Sequence, residues 1–202
     1  MKKKIPVIIA FIITIAAAVF FGNTTKSAKI YDSNVNTISY TDLGVLENDQ
    51  YITQKFVCEQ DTINGFMIKS SVCGNYGDVV VNIEVSDADT GEVLTVIEEQ
   101  GVNIKARKIH YYKADEPLTG MKGKTLEVKI TETGSVQGSG INMYYAPSDG
   151  AEYLISVNGA EIGGVLPLAT AHDGFDMETC IIFLLSVWFI WGFMWFLYKL
   201  FQ

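Results

Sequence analysis

Tryptophan is missing from most of this 202-residue chain: the only three, Trp188, Trp191 and Trp195, lie within fifteen residues of its end. There are only two histidines, His110 and His172, and only three cysteines. No HExxH or GxSxG pattern occurs, so neither a helical zinc-protease site nor a strained serine nucleophile is encoded. Acid is absent from residues 1–22 and from 179–202. All 23 Asp and Glu, with 11 of the 15 Lys and Arg, therefore fall in residues 23–178, which carry a net charge of −12. Such a segment repels phosphates, which excludes nucleic acid as a partner. Apolar ends around a polar middle also exclude a simple cytosolic enzyme, a multi-span transporter and a disordered chain.

The ends carry the apolar runs. Lys2, Lys3 and Lys4 precede Ile5–Gly22, 18 residues without charge, or roughly 27 Å as a helix. This pattern suits an uncleaved signal anchor. It also suits a cleaved signal peptide ending at Ala16-Ala17-Ala18, although Val19-Phe20-Phe21 would then form an apolar new terminus. Cys180–Leu200, 21 residues with one Lys near the end, covers roughly 31 Å as a helix and reads as a membrane span. Basic residues lie before the first run and at the end of the second. The positive-inside bias then places both termini in the cytoplasm and residues 23–178 outside, with the lipid bilayer as a partner. The three Trp share one helix face, suited either to packing on another helix or to facing lipid.

The middle alternates. Val79–Val85, Leu126–Thr131 and Ile141–Tyr145 place apolar residues at every second position, the mark of half-buried strands. Gln54–Phe56, Phe66–Ile68, Val93–Ile97 and Tyr153–Val157 are further candidates. Turn signals separate them: Asn64-Gly65, Gly74–Gly77, Asp89-Thr90-Gly91, Gly120–Gly123, Gly134–Gly140 and Asn158-Gly159. With no amphipathic helix, the fold class is all-β, a single sandwich of about eight strands between two transmembrane helices. The expected organisation is an anchor at 1–22, a linker with one short edge strand at 23–50, a sandwich at 51–170, a juxtamembrane piece at 171–178 and a span at 179–202. In this register Val81, Ile83, Val128, Ile130 and Met143 face the core, and Asn82, Lys129 and Tyr144 face out.

A set of ordered motifs extends this reading. Gln54-x-Phe56, Ile63-x-Gly65-Phe66, Gly74-Asn-Tyr-Gly77 and Asp87-x-x-Thr90-Gly91 are followed by Pro117-Leu118 and Lys122-Gly-Lys124, then Ser139-Gly-Ile-x-Met-Tyr-Tyr145 and Val157-Asn-Gly159. In these residues the chain resembles the extracytoplasmic jelly-roll domains of bacterial membrane-embedded glycan-assembly proteins and glycosyltransferases, which look like carbohydrate-binding modules. The likeness covers roughly residues 51–170 and includes no multi-span catalytic part. It implies a non-enzymatic module at the cell envelope that binds polysaccharide or assists a polytopic glycan-assembly protein. A purely structural subunit whose helices dock on such a partner is the alternative. The likeness also allows a structural Ca²⁺ without indicating its ligands.

Sugar rings stack on aromatic faces and hydrogen-bond to amides and carboxylates. Without Trp, the candidates are Tyr76 in a turn, the adjacent Tyr111 and Tyr112, of which one points outward, and Tyr144; Tyr145 shares the register of the core. Asp87–Glu92 has some of the acids of a calcium loop, but Gly91 stands where a third oxygen ligand belongs, so a hairpin turn is expected. Nothing in the spacing of the acids selects a glycosidase pair. Cys58 and Cys73 are either a disulfide or two buried thiols, and Cys180 is unpaired. The sequon at Asn23 abuts the first apolar run and is read as unused.

Overall fold

A computed structural model describes residues 5–32, 34–47, 49–148 and 150–202; the Lys2–Lys4 cluster lies outside them. The chain divides into two compact units. Ser27–His172 is a β-structured unit, and Met1–Lys26 with Asp173–Gln202 is a helical one.

The β unit is a sandwich of two sheets, with thirteen strands among the described residues rather than about eight. One sheet has six strands, in the order β11 (Ala160–Ile162), β10 (Ile155–Val157), β3 (Tyr51–Val57), β8 (Thr125–Thr133), β5 (Val80–Asp87), β6 (Val93–Gln100). The other has seven and is centred on β4 (Thr62–Cys73). β7 (Lys108–Thr119) lies along one side of β4. Along the other side lie β13 (Leu168–Phe175), against residues 65–68, and β9 (Gly140–Pro147), against residues 70–73. β2 (Thr41–Val45) and β12 (Gly164–Val165) then pair with β9, and β1 (Asn23–Lys29) with β13.

Alternation explains the core. β8 turns Leu126, Val128 and Ile130 inward, and β5 turns Val81, Ile83 and Val85 inward to meet them; all six are fully buried. Phe66, Ile68, Tyr112, Ile141 and Met143 fill the space from the other sheet, and Phe56 meets Phe66 edge-on, ring centres 6.5 Å apart. Each such side chain contributes about 1.5–3 kcal/mol by leaving water. The outward residues are half-buried rather than bare, because neighbours on the same face cover them. Asn82 bonds Thr133 at 3.1 Å, and the Lys129 ammonium lies 5.4 Å from the Tyr51 ring centre.

Two expectations need correction, and one open alternative is resolved. First, residues 23–50 are not a linker with one edge strand: they supply β1 and β2, and Leu46 is buried in the core. β1 is polar apart from Ala28 and exposed along almost its whole length, so it shows no alternation. β2 contains Gly44 at φ +81°, where the register against β9 shifts, which interrupts the two-residue period. Second, residues 171–175 continue β13 rather than forming a separate juxtamembrane piece, and Ala171 is buried. The alternative left open for Cys58 and Cys73 falls to thiols: both are free, Cys58 buried and Cys73 partly so. Cys58 closely precedes β4 and Cys73 ends it. Eleven residue steps of strand cover roughly 36 Å, and the four steps from Cys58 to Thr62 recover at most about 14 Å. A disulfide needs Cα atoms within about 7 Å.

The hairpin reading of Asp87–Glu92 matches the structure. β5 and β6 are joined there, with Asp87 Oδ1 accepting the N–H of Asp89 at 3.0 Å and of Thr90 at 3.2 Å. The Asp89 N–H is the largest influence holding the Asp87 carboxyl below its ordinary range, and the Thr90 N–H and Lys124 add to it. Asn158-Gly159, with φ of 52° and 82°, forms the two-residue turn from β10 to β11.

In the helical unit, α2 (Met177–Leu200) begins at Asp176, whose Oδ1 accepts the N–H of Glu178 and Thr179. It is long and apolar enough to cross a membrane. α1 (Ile5–Gly22) is apolar, and its described side chains, Ile9–Gly22, form a shorter stretch than a span requires. Trp188, Trp191 and Trp195 remain more than half exposed, and the Lys199 ammonium sits 4.6 Å from the Trp195 ring centre.

The cysteine assignment has a direct check. Alkylation of the unfolded, unreduced protein should add three groups, at Cys58, Cys73 and Cys180, in the intact mass. A single addition would mean that Cys58 and Cys73 are bridged.

Candidate functional site

The side chains with binding chemistry collect on the outer face of the seven-stranded sheet. Phe66, Ile68 and Ser70 of β4 point inward, so Met67 and Lys69 point outward. The registers extend this face sideways. Tyr111 lies opposite Met67, and Ile109 opposite Lys69. Ser70 pairs with Met143, which sets Tyr144 beside Lys69, and Asp42 lies opposite Tyr144 on β2. Tyr40, just before β2, completes the group. The Lys69 ammonium is 4.6 Å from the Tyr40 ring centre and 5.7 Å from that of Tyr144. Tyr31 meets Tyr40 edge-on at 6.4 Å.

The polar groups on this face are set in place by the fold. Asp42 accepts the Gly44 N–H at 2.8 Å through Oδ1 and the Asn142 side-chain amide at 3.0 Å through Oδ2. Lys69 is fixed by two rings rather than by a carboxylate; cation–π contacts of this kind contribute about 0.5–1 kcal/mol each when exposed. Partial burial pushes the Tyr40 phenol above its ordinary value, with Tyr31 and Asp32 adding to the effect. Its hydroxyl is therefore a proton-bearing donor at any physiological pH. Aromatic rings, an amide, a carboxylate and an ammonium thus lie together on and beside the sheet.

The candidate tyrosines separate on this structure. Tyr144 and Tyr111 reach the outer face, and the Tyr111 hydroxyl donates to the Asn64 carbonyl at 3.3 Å. Tyr112 does not: it is wholly buried opposite Phe66, and burial pushes its phenol far up. Adjacent residues of a strand face opposite ways, so an outward Tyr111 requires an inward Tyr112. Tyr76 is half-buried against the core, in the turn where Val79 bonds back to its carbonyl, away from this face. Tyr40, Tyr31, Lys69, Asp42 and Asn142 were not recognisable beforehand as site residues. Three of them lie in the stretch read as linker, and the β2–β9 pairing brings Asp42 beside Tyr144.

A second concavity, of about 280 Å³, lies beside Lys55, Gln60, Glu152 and Tyr153. Its buried Gln54 is fully engaged, donating to the carbonyls of Lys55 and Tyr153 and accepting from the Leu166 N–H. This amide therefore organises the fold and is not free for a ligand. His110 is not a plain surface residue: its Nε2 lies 3.3 Å from Glu99, joining β7 of one sheet to β6 of the other. Among the described residues no three His, Cys, Asp or Glu side chains are grouped to hold a metal ion. No protein-family model matches the chain, and comparison with curated proteins returned no relative.

The two tyrosine environments make opposite predictions for stability. Tyr112→Ala should cost about 3–5 kcal/mol in denaturant unfolding of the full chain, through lost burial and the space left behind. Tyr144→Ala should cost about 1 kcal/mol or less. Equal costs would mean that the outer face is itself part of a packed interior.

Proposed function

We propose that the protein is a non-enzymatic, membrane-anchored module that binds cell-envelope glycan on its outward tyrosine face. The observation that carries this reading is the Tyr40–Lys69–Tyr144 group with the Asp42–Asn142 pair beside it. Pyranose rings present apolar C–H faces and ringed hydroxyls, and this group offers aromatic surface with donors and acceptors at its edge. The face is shallow, and hydroxyls lose water on binding, so the affinity is modest, about 10–100 μM or roughly −5.5 to −7 kcal/mol. Tyr40→Ala and Tyr144→Ala together should abolish binding of the full, detergent-solubilised chain on an array of cell-envelope polysaccharides. Tyr76→Ala should leave binding unchanged. No binding at millimolar oligosaccharide by the folded protein would end the glycan reading in favour of a structural subunit docked on a polytopic partner.

The anchoring is proposed as two spans with both termini in the cytoplasm and residues 23–178 outside. Contacts inside the helical unit support it. Phe21 stacks on Phe183 at 5.1 Å, Gly22 lies against Cys180, and Phe11 and Thr14 border Val187, Trp188 and Trp191. Moving back along α1 therefore means moving forward along α2, so the helices are antiparallel partners and a span by α2 carries α1 with it. Accessibility labelling of cysteines introduced at Ser135 and Gln202 should find the first outside and the second inside. Both on one side would rule out the hairpin, and a mature N terminus after Ala18 would replace the anchor with a cleaved signal peptide.

A further inference from the structure

We infer that Glu132 is a positioning residue for the tyrosine face, a buried carboxyl that clamps the β2 edge to β9 and loosens it as pH rises from acid toward neutral. The inference concerns regulation of the glycan site and, in that respect, rests on the reading above.

The geometry begins with the two-residue period of β8. Leu126, Val128 and Ile130 point into the core, and so does the next residue in that register, Glu132, which is 5% exposed. Its Oε2 accepts the N–H of Ile141, at the start of β9, at 2.9 Å. The Leu46 N–H, just after β2, also donates to the carboxylate. The Ser135 hydroxyl donates to the Leu46 carbonyl, so both sides of that residue are held. Gly140 makes room for this arrangement: a Cβ there would lie 2.7 Å from Glu132 Oε2 and would overlap Val45. The clamp therefore joins the end of β8, the start of β9 and the end of β2. β2 is the strand that carries Asp42 and presents Tyr40.

Among the described residues no cation shifts this carboxyl. Across the sheet from it β5 presents Val81, with Glu84 further along pointing out. β7 presents the Tyr112 phenol, which also senses Glu99 of β6. β9 presents the Ile141 N–H, and Asn142 turns away to Asp42. Glu132 Oε1 is buried without a hydrogen-bond partner. Burial thus dominates and raises the carboxyl from 4.5 to about 7, against the opposing pull of the Ile141 and Leu46 N–H groups.

The sign follows. A carboxyl that protonates more readily when closed than when open to water gives the closed clamp an extra proton between pH 4.5 and about 7. The closed state then loses ground as pH rises through that window and changes no further above it. From those two values the opening equilibrium rises about 70-fold between pH 5 and pH 8.

Amide hydrogen–deuterium exchange on the full chain in detergent tests this. After correction for intrinsic chemistry, peptides covering 41–47 and 140–146 should exchange up to about 70-fold faster at pH 8 than at pH 5, while the peptide covering Val81–Val85 stays flat. Glu132→Gln keeps the acceptor oxygen and should abolish the dependence. A flat wild-type profile, or a rise that persists in Glu132→Gln, overturns the clamp; the wild-type profile decides alone if the variant does not fold. Oligosaccharide binding should weaken from pH 5 to pH 8 in the wild type and not in Glu132→Gln. Unchanged binding alongside rising exchange overturns the coupling to the face. Absence of binding at every pH removes the glycan reading and the coupling with it, while the exchange data still decide whether the clamp exists.

Discussion

The alternation of β4 between Phe66 and Ser70 ties the inside of this protein to its outside. One strand of twelve residues pairs with β7 along one side and with β13 and β9 along the other. Its even-numbered residues from Phe66 to Ser70 line the core, so Met67 and Lys69 must appear on the opposite face. The neighbours inherit that phase through the registers. Tyr112 opposite Phe66 has to be inside, and Tyr111 opposite Met67 has to be outside. A slip of one residue would exchange the two sets, burying Lys69 without a partner at a cost of several kcal/mol. The β4 and β7 part of the tyrosine face therefore points outward because the apolar core fixes its phase.

The core is less uniform than its aliphatic content suggests. Ser70, Tyr112 and Glu132 bring hydroxyl and carboxyl groups among Ile and Val side chains, and each has a buried oxygen without a well-formed hydrogen bond among the described residues. Such groups cost stability relative to apolar residues of similar shape. In return they distinguish one arrangement of strands from others, since only the native register brings the Ile141 N–H to Glu132. The Glu99–His110 contact acts at the open margin of the sandwich, where β6 and β7 are the strands of different sheets. Polar pairing there joins the two sheets at one margin, as the Ile141 N–H on Glu132 joins them elsewhere.

The sequence made legible what alternation encodes and little else. Val81, Ile83, Val128, Ile130 and Met143 are all fully buried, as their spacing implies. β1, β2 and β13 were hidden for separate reasons. β1 is polar on both faces. β2 is five residues long and interrupted at Gly44. The first four residues of β13, Leu168–Ala171, are buried on both faces, so they show no alternation to detect. Half of the tyrosine site was legible through Tyr111 and Tyr144. The other half depends on pairing between Asp42 and Tyr144, residues about a hundred positions apart, and local pattern carries no information on such a contact.

The proposed anchoring changes what the face has to achieve. A free module of modest affinity would leave a dilute glycan mostly unbound. Confinement of module and glycan to one surface raises their effective concentration without a new contact, by factors of about 10²–10⁴ when geometry allows joint engagement. Under that condition a shallow face of tyrosines is sufficient, and a deep tryptophan-lined cleft would hold its ligand longer than an assembly surface requires. The chain places its three Trp in α2 and the aromatics proposed to bind, all Tyr, on and beside the sheet. That division matches the two surroundings. Indole rings suit the lipid boundary, whereas phenol rings combine a stacking face with a hydroxyl that can exchange between water and sugar.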